Sequence, residues 1–204
     1  HNSKNEETKK ISTIKSQVED MIQKIQNSNS NELIANIEEN YKCCCQTSVC
    51  IHIAKPEIDD DPLKRYLVVI DDNLYIRKTV CNLLSITFGK IKEEKKTKYK
   101  FEIIEGSDGI DALKFIIDRG IASKIKAIFI DENMEYLNGS ESVRIIRNLQ
   151  KLNKVGKFSI ASVTAFEDQA MKQIIKTSGM DEVYSKPLSK SQLLDFLDKY
   201  KILI

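Results

Sequence analysis

The chain has 204 residues, of which 41% are hydrophobic and 30% are charged. This length is enough for one full-sized domain with an appendage. The composition is that of an ordinary globular protein. The formal net charge of +2 argues against a dedicated nucleic-acid-binding surface. No apolar run approaches the ~20 residues that cross a bilayer, and no signal peptide opens the sequence. We therefore expect a cytoplasmic location, or the cytosolic part of a membrane-bound protein. The first residue is His1 rather than Met, so we expect a piece of a longer product.

Residues 1–61 are predicted to form a helical or linker extension. Its apolar residues recur at spacings of three and four over about two heptads, at Ile11, Ile14, Val18, Met21 and Ile25. Two interpretations remain open, a helical linker that packs on its neighbour and a helix that dimerises. The prolines Pro56 and Pro62 flank an acidic run and mark the boundary, because proline restricts the preceding residue and lacks a backbone donor.

Four of the five cysteines cluster in this extension, at Cys43–Cys45 and Cys50, with His52 nearby. Structural zinc sites favour paired cysteines with a gap of two to four residues. Three consecutive cysteines do not converge easily on one ion. We therefore interpret them as reduced thiols of a linker rather than as a metal site.

After Pro62 the sequence alternates between two kinds of segment. Runs rich in β-branched residues predict strands at 66–70, 101–104, 125–130, 158–163 and 182–185. Helical periodicity follows each of them, at 74–88, 110–117, 141–149, 167–178 and 189–201. This alternation predicts an α/β fold, with a five-stranded, doubly wound parallel sheet. The lysine-rich segment 90–98 is predicted to be a solvated loop, with a polyanion-binding patch as the alternative.

Chemically useful side chains stand where the predicted strands end. Asp71 and Asp72 follow the first strand, Asp131 the third, Thr164 the fourth and Lys186 the fifth. Ligands bind at the carboxyl ends of the strands in such sheets. Clustered carboxylates repel each other unless a cation lies among them, and Mg2+ suits oxygen ligands. An ammonium and a hydroxyl can contact phosphoryl oxygens. The set predicts phosphoryl transfer onto a carboxylate.

These residues lie within motifs that resemble the receiver domains of two-component and phosphorelay response regulators. The motifs occur in the family's order, at Val69–Asn73, Gly109–Leu113, Asp131–Gly139, Thr164–Ala165 and Gly179–Pro187. The resemblance covers residues 65–201, about two thirds of the chain, and is strongest to the receivers of hybrid histidine kinases. It implies a flavodoxin-like sheet of strand order 2-1-3-4-5.

The resemblance also implies roles for individual residues. Asp131 is the expected phosphoacceptor. Asp71, Asp72, Asp131 and the backbone carbonyl of Asn133 are the expected Mg2+ ligands, with Asp72 dominant and Asp71 acting through water. Thr164 is the expected switch hydroxyl, and Lys186 is the expected partner of the phosphoryl group. A cis peptide bond is expected before Pro187.

Two positions depart from the family pattern. Glu135 stands where the family usually has proline, and Val183 stands where it has its switch aromatic. Tyr184 comes one residue later, so we expect its ring on the opposite face of the strand. We therefore expect signalling to rely on Phe166 and the helix at 167–178 instead.

The favoured function is a phosphorelay receiver that takes a phosphoryl group from a phosphohistidine, in the C-terminal part of a hybrid histidine kinase. Its expected donor is a histidine kinase or a histidine phosphotransfer protein. No glycine-rich nucleotide motif is present, so we expect no ATP site in this chain. The alternative is a receiver-fold scaffold that works without phosphorylation. An acid phosphohydrolase is less favoured, because Asn133 stands where such enzymes have a second acid.

Overall fold

A computed structural model describes residues 61–94, 97–117, 119–165 and 168–204. The predicted extension, its heptad helix and the cluster Cys43–Cys50 with His52 lie outside these residues. The predicted division of the chain at residues 61–65 therefore stays a prediction. The remaining cysteine, Cys81, is a buried free thiol.

The described residues form five strands and six helices, which alternate except that two helices lie between β2 and β3. The strands are β1 (Lys64–Ile70), β2 (Lys100–Gly106), β3 (Ile125–Ile130), β4 (Ser159–Thr164) and β5 (Glu182–Ser185). The helices are α1 (Leu74–Glu93), α2 (Gly109–Ile117), α3 (Arg119–Ala122), α4 (Gly139–Lys151), α5 (Gln169–Thr177) and α6 (Lys190–Lys199). All neighbouring strands pair in parallel, in the order β2-β1-β3-β4-β5. The predicted fold class and strand order are confirmed.

Both faces of the sheet are covered, which explains why its central strands are apolar throughout. One face packs against α1 and α6, and this part of the core contains Leu67, Val69, Phe129, Leu84 and Phe196. The alternate residues of the same strands point to the other face and are also buried, as Val68, Ile70, Ile128, Ile130 and Ile160 show. Helix α2 packs against α4 on that side.

Local sequence signals fix where the helices begin. The Asn73 side chain accepts hydrogen bonds from the backbone N–H groups of Tyr75 (3.0 Å) and Ile76 (3.3 Å) at the start of α1. A capping box opens α6, in which Ser189 Oγ accepts from the Gln192 N–H (3.2 Å) and Gln192 Oε1 accepts from the Ser189 N–H (2.9 Å). These caps place α1 directly after the acidic pair and α6 directly after Lys186-Pro187.

The prediction of a solvated loop over 90–98 is wrong for its first residues. Helix α1 extends to Glu93, five residues beyond the predicted end. Ile91 is buried on the same face as Leu84 and Phe88, so core packing continues the helix. Lys90 and Lys92 lie in its last turn, where positive charge favours the helix dipole. The four-residue helix α3 is an addition that no periodicity predicted.

Among the described residues, no helix combines the length and apolarity that spanning a bilayer requires.

Candidate phosphoacceptor site

Three carboxylates meet at the carboxyl edge of the sheet. Asp71 and Asp72 directly follow β1, and Asp131 directly follows β3, which pairs with β1. One carboxylate oxygen from each of the three lies within 4.8 Å of the others. Asp71 and Asp131 are buried, whereas Asp72 is exposed. The parallel pairing of adjacent strands thus brings together residues that lie 60 positions apart in the chain.

Lys186 completes this cluster from the other side. It follows β5, and its Nζ lies 2.7 Å from Asp71 Oδ2 and 2.8 Å from Asp131 Oδ2. The peptide bond between Lys186 and Pro187 is cis, as expected. Thr164, the last residue of β4, is buried at the same edge. Asn133 is exposed in the loop after Asp131.

The electrostatics of the cluster are unbalanced. Burial raises the pKa of Asp131 above its ordinary value, and the hydrogen bond from Lys186 offsets only part of that effect. Burial disfavours the Lys186 ammonium, but its hydrogen bonds to Asp131 and Asp71 outweigh burial and raise the pKa of Lys186. Asp71 and Asp131 both contact the Lys186 ammonium, and Asp72 adds a third carboxylate to the cluster. The cluster therefore has an excess of negative charge that a further cation would neutralise.

Arg77, a residue that sequence reasoning missed, binds the backbone of Asp71. Arg77 is buried in α1 and donates a hydrogen bond to the backbone carbonyl of Asp71. Its Nε also lies 3.4 Å from Glu105 Oε2. The Asp71 carboxylate accepts from the Asn73 N–H at 2.9 Å through Oδ1. Each carboxylate oxygen of Asp71 therefore already has one partner, because Oδ2 faces Lys186.

The loop between β3 and α4 is held by two further carboxylates that the sequence did not single out. Asp108, in the β2–α2 loop, accepts from the backbone N–H groups of Tyr136 (2.9 Å) and Leu137 (3.4 Å). Burial raises the pKa of this carboxyl. Glu132, next to Asp131, accepts two hydrogen bonds from Ser140. The path of the loop beside Asp131 thus depends on side chains from two separate segments.

Gly139 is required at the end of this loop by close packing. A Cβ atom at this position would lie 2.2 Å from the backbone oxygen of Asp131. Any larger residue would therefore push the start of α4 away from the end of β3.

Tyr184 faces away from the cluster, as its place in the strand predicted. Its ring packs edge to face with Phe196 of α6, with ring centroids 6.4 Å apart. Tyr184 pairs in register with Val163, whereas Ser185 pairs with Thr164. Because alternate residues point to opposite faces of the sheet, Tyr184 belongs with the core between the sheet and α6. Phe166, the other predicted switch residue, lies outside the described residues.

The doubly wound 2-1-3-4-5 sheet, with this acidic cluster and a lysine at its carboxyl edge, has the architecture of the receiver domains of response regulators. Comparisons with known proteins agree with this class. Over 145 residues the chain is 25% identical to hybrid signal transduction histidine kinase A of Dictyostelium discoideum, covering 71% of this chain and 6% of the relative. Over 148 residues it is 27% identical to hybrid signal transduction histidine kinase L of the same organism, covering 71% and 8%. No family model matches.

Solved structures show the same fold. The signal receiver domain of the response regulator NarL from Mycobacterium tuberculosis is 19% identical, with a TM-score of 0.53, covering 69% of this chain and 98% of that one. The receiver domain of a sensor histidine kinase from Pseudomonas aeruginosa, with a magnesium ion in its active-site cleft, is 20% identical, with a TM-score of 0.52 and coverage of 67% and 97%. The chain spans less than a tenth of the length of its curated relatives.

Proposed function

We propose that Asp131 accepts a phosphoryl group from a phosphohistidine, and that Mg2+ assists this transfer. One observation carries the proposal. The buried carboxylate of Asp131 at the end of β3 shares Lys186 with Asp71 at the end of β1, and Asp72 adds a third carboxylate to this cluster. An excess of negative charge lowers the stability of the fold when no cation neutralises it. Such clusters are therefore typical of functional sites.

The carboxylate cluster fits Mg2+ by its chemistry. Hard divalent cations take oxygen ligands, and Mg2+ is held in proteins by a few carboxylates together with water and phosphate oxygens. Asp71, Asp72 and Asp131 would hold the ion, with the backbone carbonyl of Asn133 as the further ligand that the family resemblance implies. When bound, the ion supplies positive charge for the phosphoryl oxygens.

The remaining steps belong to side chains of this protein. A carboxylate oxygen of Asp131 attacks phosphorus, an O–P bond forms, and the N–P bond to the donor imidazole breaks, with the bonding electron pair returning to the imidazole. Lys186, already 2.8 Å from Asp131 Oδ2, then donates to a phosphoryl oxygen. The hydroxyl of Thr164, at the end of β4, donates to another. This is catalysis by positioning and electrostatic stabilisation.

We further propose that the domain belongs to a larger hybrid histidine kinase. This part rests on the two Dictyostelium relatives, both of which are hybrid histidine kinases. The donor is then a phosphohistidine of a kinase or of a histidine phosphotransfer protein.

The test is labelling of the full chain by acetyl phosphate in the presence of Mg2+. Intact-mass measurement should show one added phosphoryl group that hydroxylamine removes, as expected for an acyl phosphate. Asp131→Ala and Asp131→Asn should both stay unlabelled, while Asp195→Asn, on the distant helix α6, should label like the parent protein. Labelling of the Asp131 variants would refute the assignment. A parent protein that stays unlabelled would favour the phosphorylation-independent scaffold.

A further inference from the structure

Glu132 is a buried carboxylate whose two oxygens both accept hydrogen bonds from Ser140. It directly follows Asp131, and 5% of its surface is exposed. Its Oε2 accepts from the Ser140 N–H at 2.9 Å, and its Oε1 accepts from the Ser140 hydroxyl at 2.7 Å. Ser140, in the first turn of α4, is equally buried. Both oxygens of Glu132 are thus used to bind the start of a helix.

This pair closes the loop of residues 132–139. A second contact joins the same two ends, because the Gly139 N–H donates to the Glu132 backbone oxygen at 3.1 Å. The Glu132 N–H also donates to Asp131 Oδ1 at 2.7 Å. The side chain that closes the loop therefore belongs to the residue whose backbone orients the acceptor carboxylate. Asn133 lies within the closed loop.

Holding a loop with a buried carboxylate costs free energy. Desolvation of the charged group costs free energy that its hydrogen bonds must recover, and apolar packing often stabilises equally well. Burial raises the pKa of Glu132, which is the expected sign of that cost. Charge-assisted hydrogen bonds, however, fix position and direction more tightly than apolar contacts do. Their presence beside Asp131 is explained if the loop has to be held in one place.

We propose that Glu132 is a positioning residue, which acts through Ser140 to hold the loop 132–139 so that Asp131 and the backbone of Asn133 are ordered for Mg2+ before the ion binds. The proposal rests on the proposed function of the site. It deepens that function, because Glu132 itself contacts neither the ion nor the phosphoryl group. Residues that orient metal ligands from outside typically contribute about 10- to 100-fold to metal affinity.

The experiment measures Mg2+ affinity by amide chemical shifts in the full chain, for the parent, Glu132→Ala, Glu132→Gln and Ser140→Ala. Glu132→Ala should weaken binding about tenfold, and Ser140→Ala by a smaller factor. Glu132→Gln should restore most of the affinity, because its carbonyl accepts from the Ser140 N–H while its amide donates to the hydroxyl, which can also accept. If Glu132→Ala does not fold, the other two variants decide the question.

Asp181→Ala is the control for lost stability, at a more exposed carboxylate. Asp181 also accepts from one backbone N–H, of Ile160 at 2.7 Å, and one side chain, of Arg147 at 2.6 Å. It lies at the opposite edge of the sheet, so its loss should lower stability and leave Mg2+ affinity unchanged. Amide exchange without metal adds a second readout. Residues 132–140 should lose protection in Glu132→Ala while β3 keeps its own.

The possible failures are distinguishable. Equal Mg2+ affinity in the parent and in both Glu132→Ala and Ser140→Ala would overturn the role of Glu132 and leave the proposed function intact. A parent protein that binds Mg2+ but is not phosphorylated would refute the function, while the affinity comparison still decides the role of Glu132. A parent protein that binds no Mg2+ would overturn both.

Discussion

The two edges of the sheet, at the amino and at the carboxyl ends of the strands, both carry charged side chains, but these charges are arranged differently. At the amino edge, Arg147 donates to Asp181 at 2.6 Å and to the backbone oxygen of Gly179 at 2.7 Å. Glu182 there pairs with Lys199 and accepts from the Tyr200 hydroxyl at 2.9 Å. At the carboxyl edge, Asp71 and Asp131 share Lys186, and Asp72 lies in the same cluster. One-to-one ion pairs thus mark a structural network, whereas clustered carboxylates mark a site suited to a cation.

A cleft at the amino edge lies at the other edge of the sheet from the acidic cluster. Its volume is about 840 Å³, and its lining includes Lys126, Arg147 and Phe158. None of the predicted site residues lines this cleft. The cleft therefore does not mark the acidic cluster. Clustered carboxylates are the more informative marker of a cation site in this molecule, because a cation needs opposite charge more than it needs volume.

The largest expected effect is on Mg2+ binding by the exposed member of the acidic cluster. Each carboxylate oxygen of Asp71 already has one partner, Asn73 or Lys186, whereas Asp72 is exposed, so Asp72 should contribute most to affinity. Asp72→Ala should weaken binding by more than the about 10- to 100-fold that loss of an outer partner costs. A titration followed by amide shifts measures this, with Asp181→Ala as the control. Unchanged affinity in Asp72→Ala would place the ion elsewhere.

Stability should respond with opposite signs at the two edges. Arg147→Ala leaves the backbone oxygens of Gly179 and Phe158 without their donor, and should lower the free energy of unfolding by about 1–3 kcal/mol. Asp131→Asn removes a carboxylate whose charged form burial disfavours, and should raise the stability of the metal-free protein by about 1 kcal/mol. Denaturant unfolding in EDTA measures both. A loss of stability in Asp131→Asn would mean that the cluster is balanced without metal.

Two variants can distinguish whether the structural response to phosphorylation depends on Thr164 at the acidic edge or on the packing of Tyr184 against α6. Beryllofluoride, which mimics a phosphoryl group, should change amide exchange in the parent protein at residues 164–165 and 168–178. The change should disappear in Thr164→Ala, which loses the hydroxyl at the end of β4. It should persist in Tyr184→Ala, because that ring packs on Phe196. A response that depends on Tyr184 would make the tyrosine the switch.

The smallest expected effect concerns pH at the amino edge. The hydrogen bond from Lys199 lowers the pKa of Glu182. A lowered pKa in the folded state means that this pair stabilises the fold above the ordinary pKa of glutamate, and that the contribution is lost as pH falls through the folded-state pKa. Glu182→Gln should therefore cost about 0.5–1 kcal/mol at pH 7 and progressively less as pH falls below the ordinary pKa of glutamate. A pH-independent cost would assign the effect to packing.

The strands and their ends were predictable because each relies on a local signal. Buried parallel strands appear as continuous apolar runs, and Asp71, Asp131 and Lys186 stand immediately after three of them. The family resemblance then supplied the strand order. These two kinds of information were enough to bring the cluster together on the correct edge, and to predict that Tyr184 faces away from it.

The supporting contacts were not predictable, because they depend on the path of loops. The pairing of Glu132 with Ser140 and of Asp108 with the backbone of Tyr136 follows from how the β3–α4 loop closes. Nothing in their spacing fixes that closure. The buried position of Arg77 could have been predicted, because it lies three residues before Val80 on the buried face of α1. A charged residue in an apolar stripe is a signal for a specific partner.

The chain enters β1 and leaves α6 at the amino edge. Lys64 opens β1 there, and Lys201 and Ile202, just past α6, line the cleft beside Phe158 and Ser159. A domain whose two ends lie on one side can be joined into a longer polypeptide without rearranging the opposite side. The geometry of the acidic edge can therefore be preserved when such a domain is joined to other domains. In the two Dictyostelium relatives, the matching stretch occupies 6% and 8% of the protein.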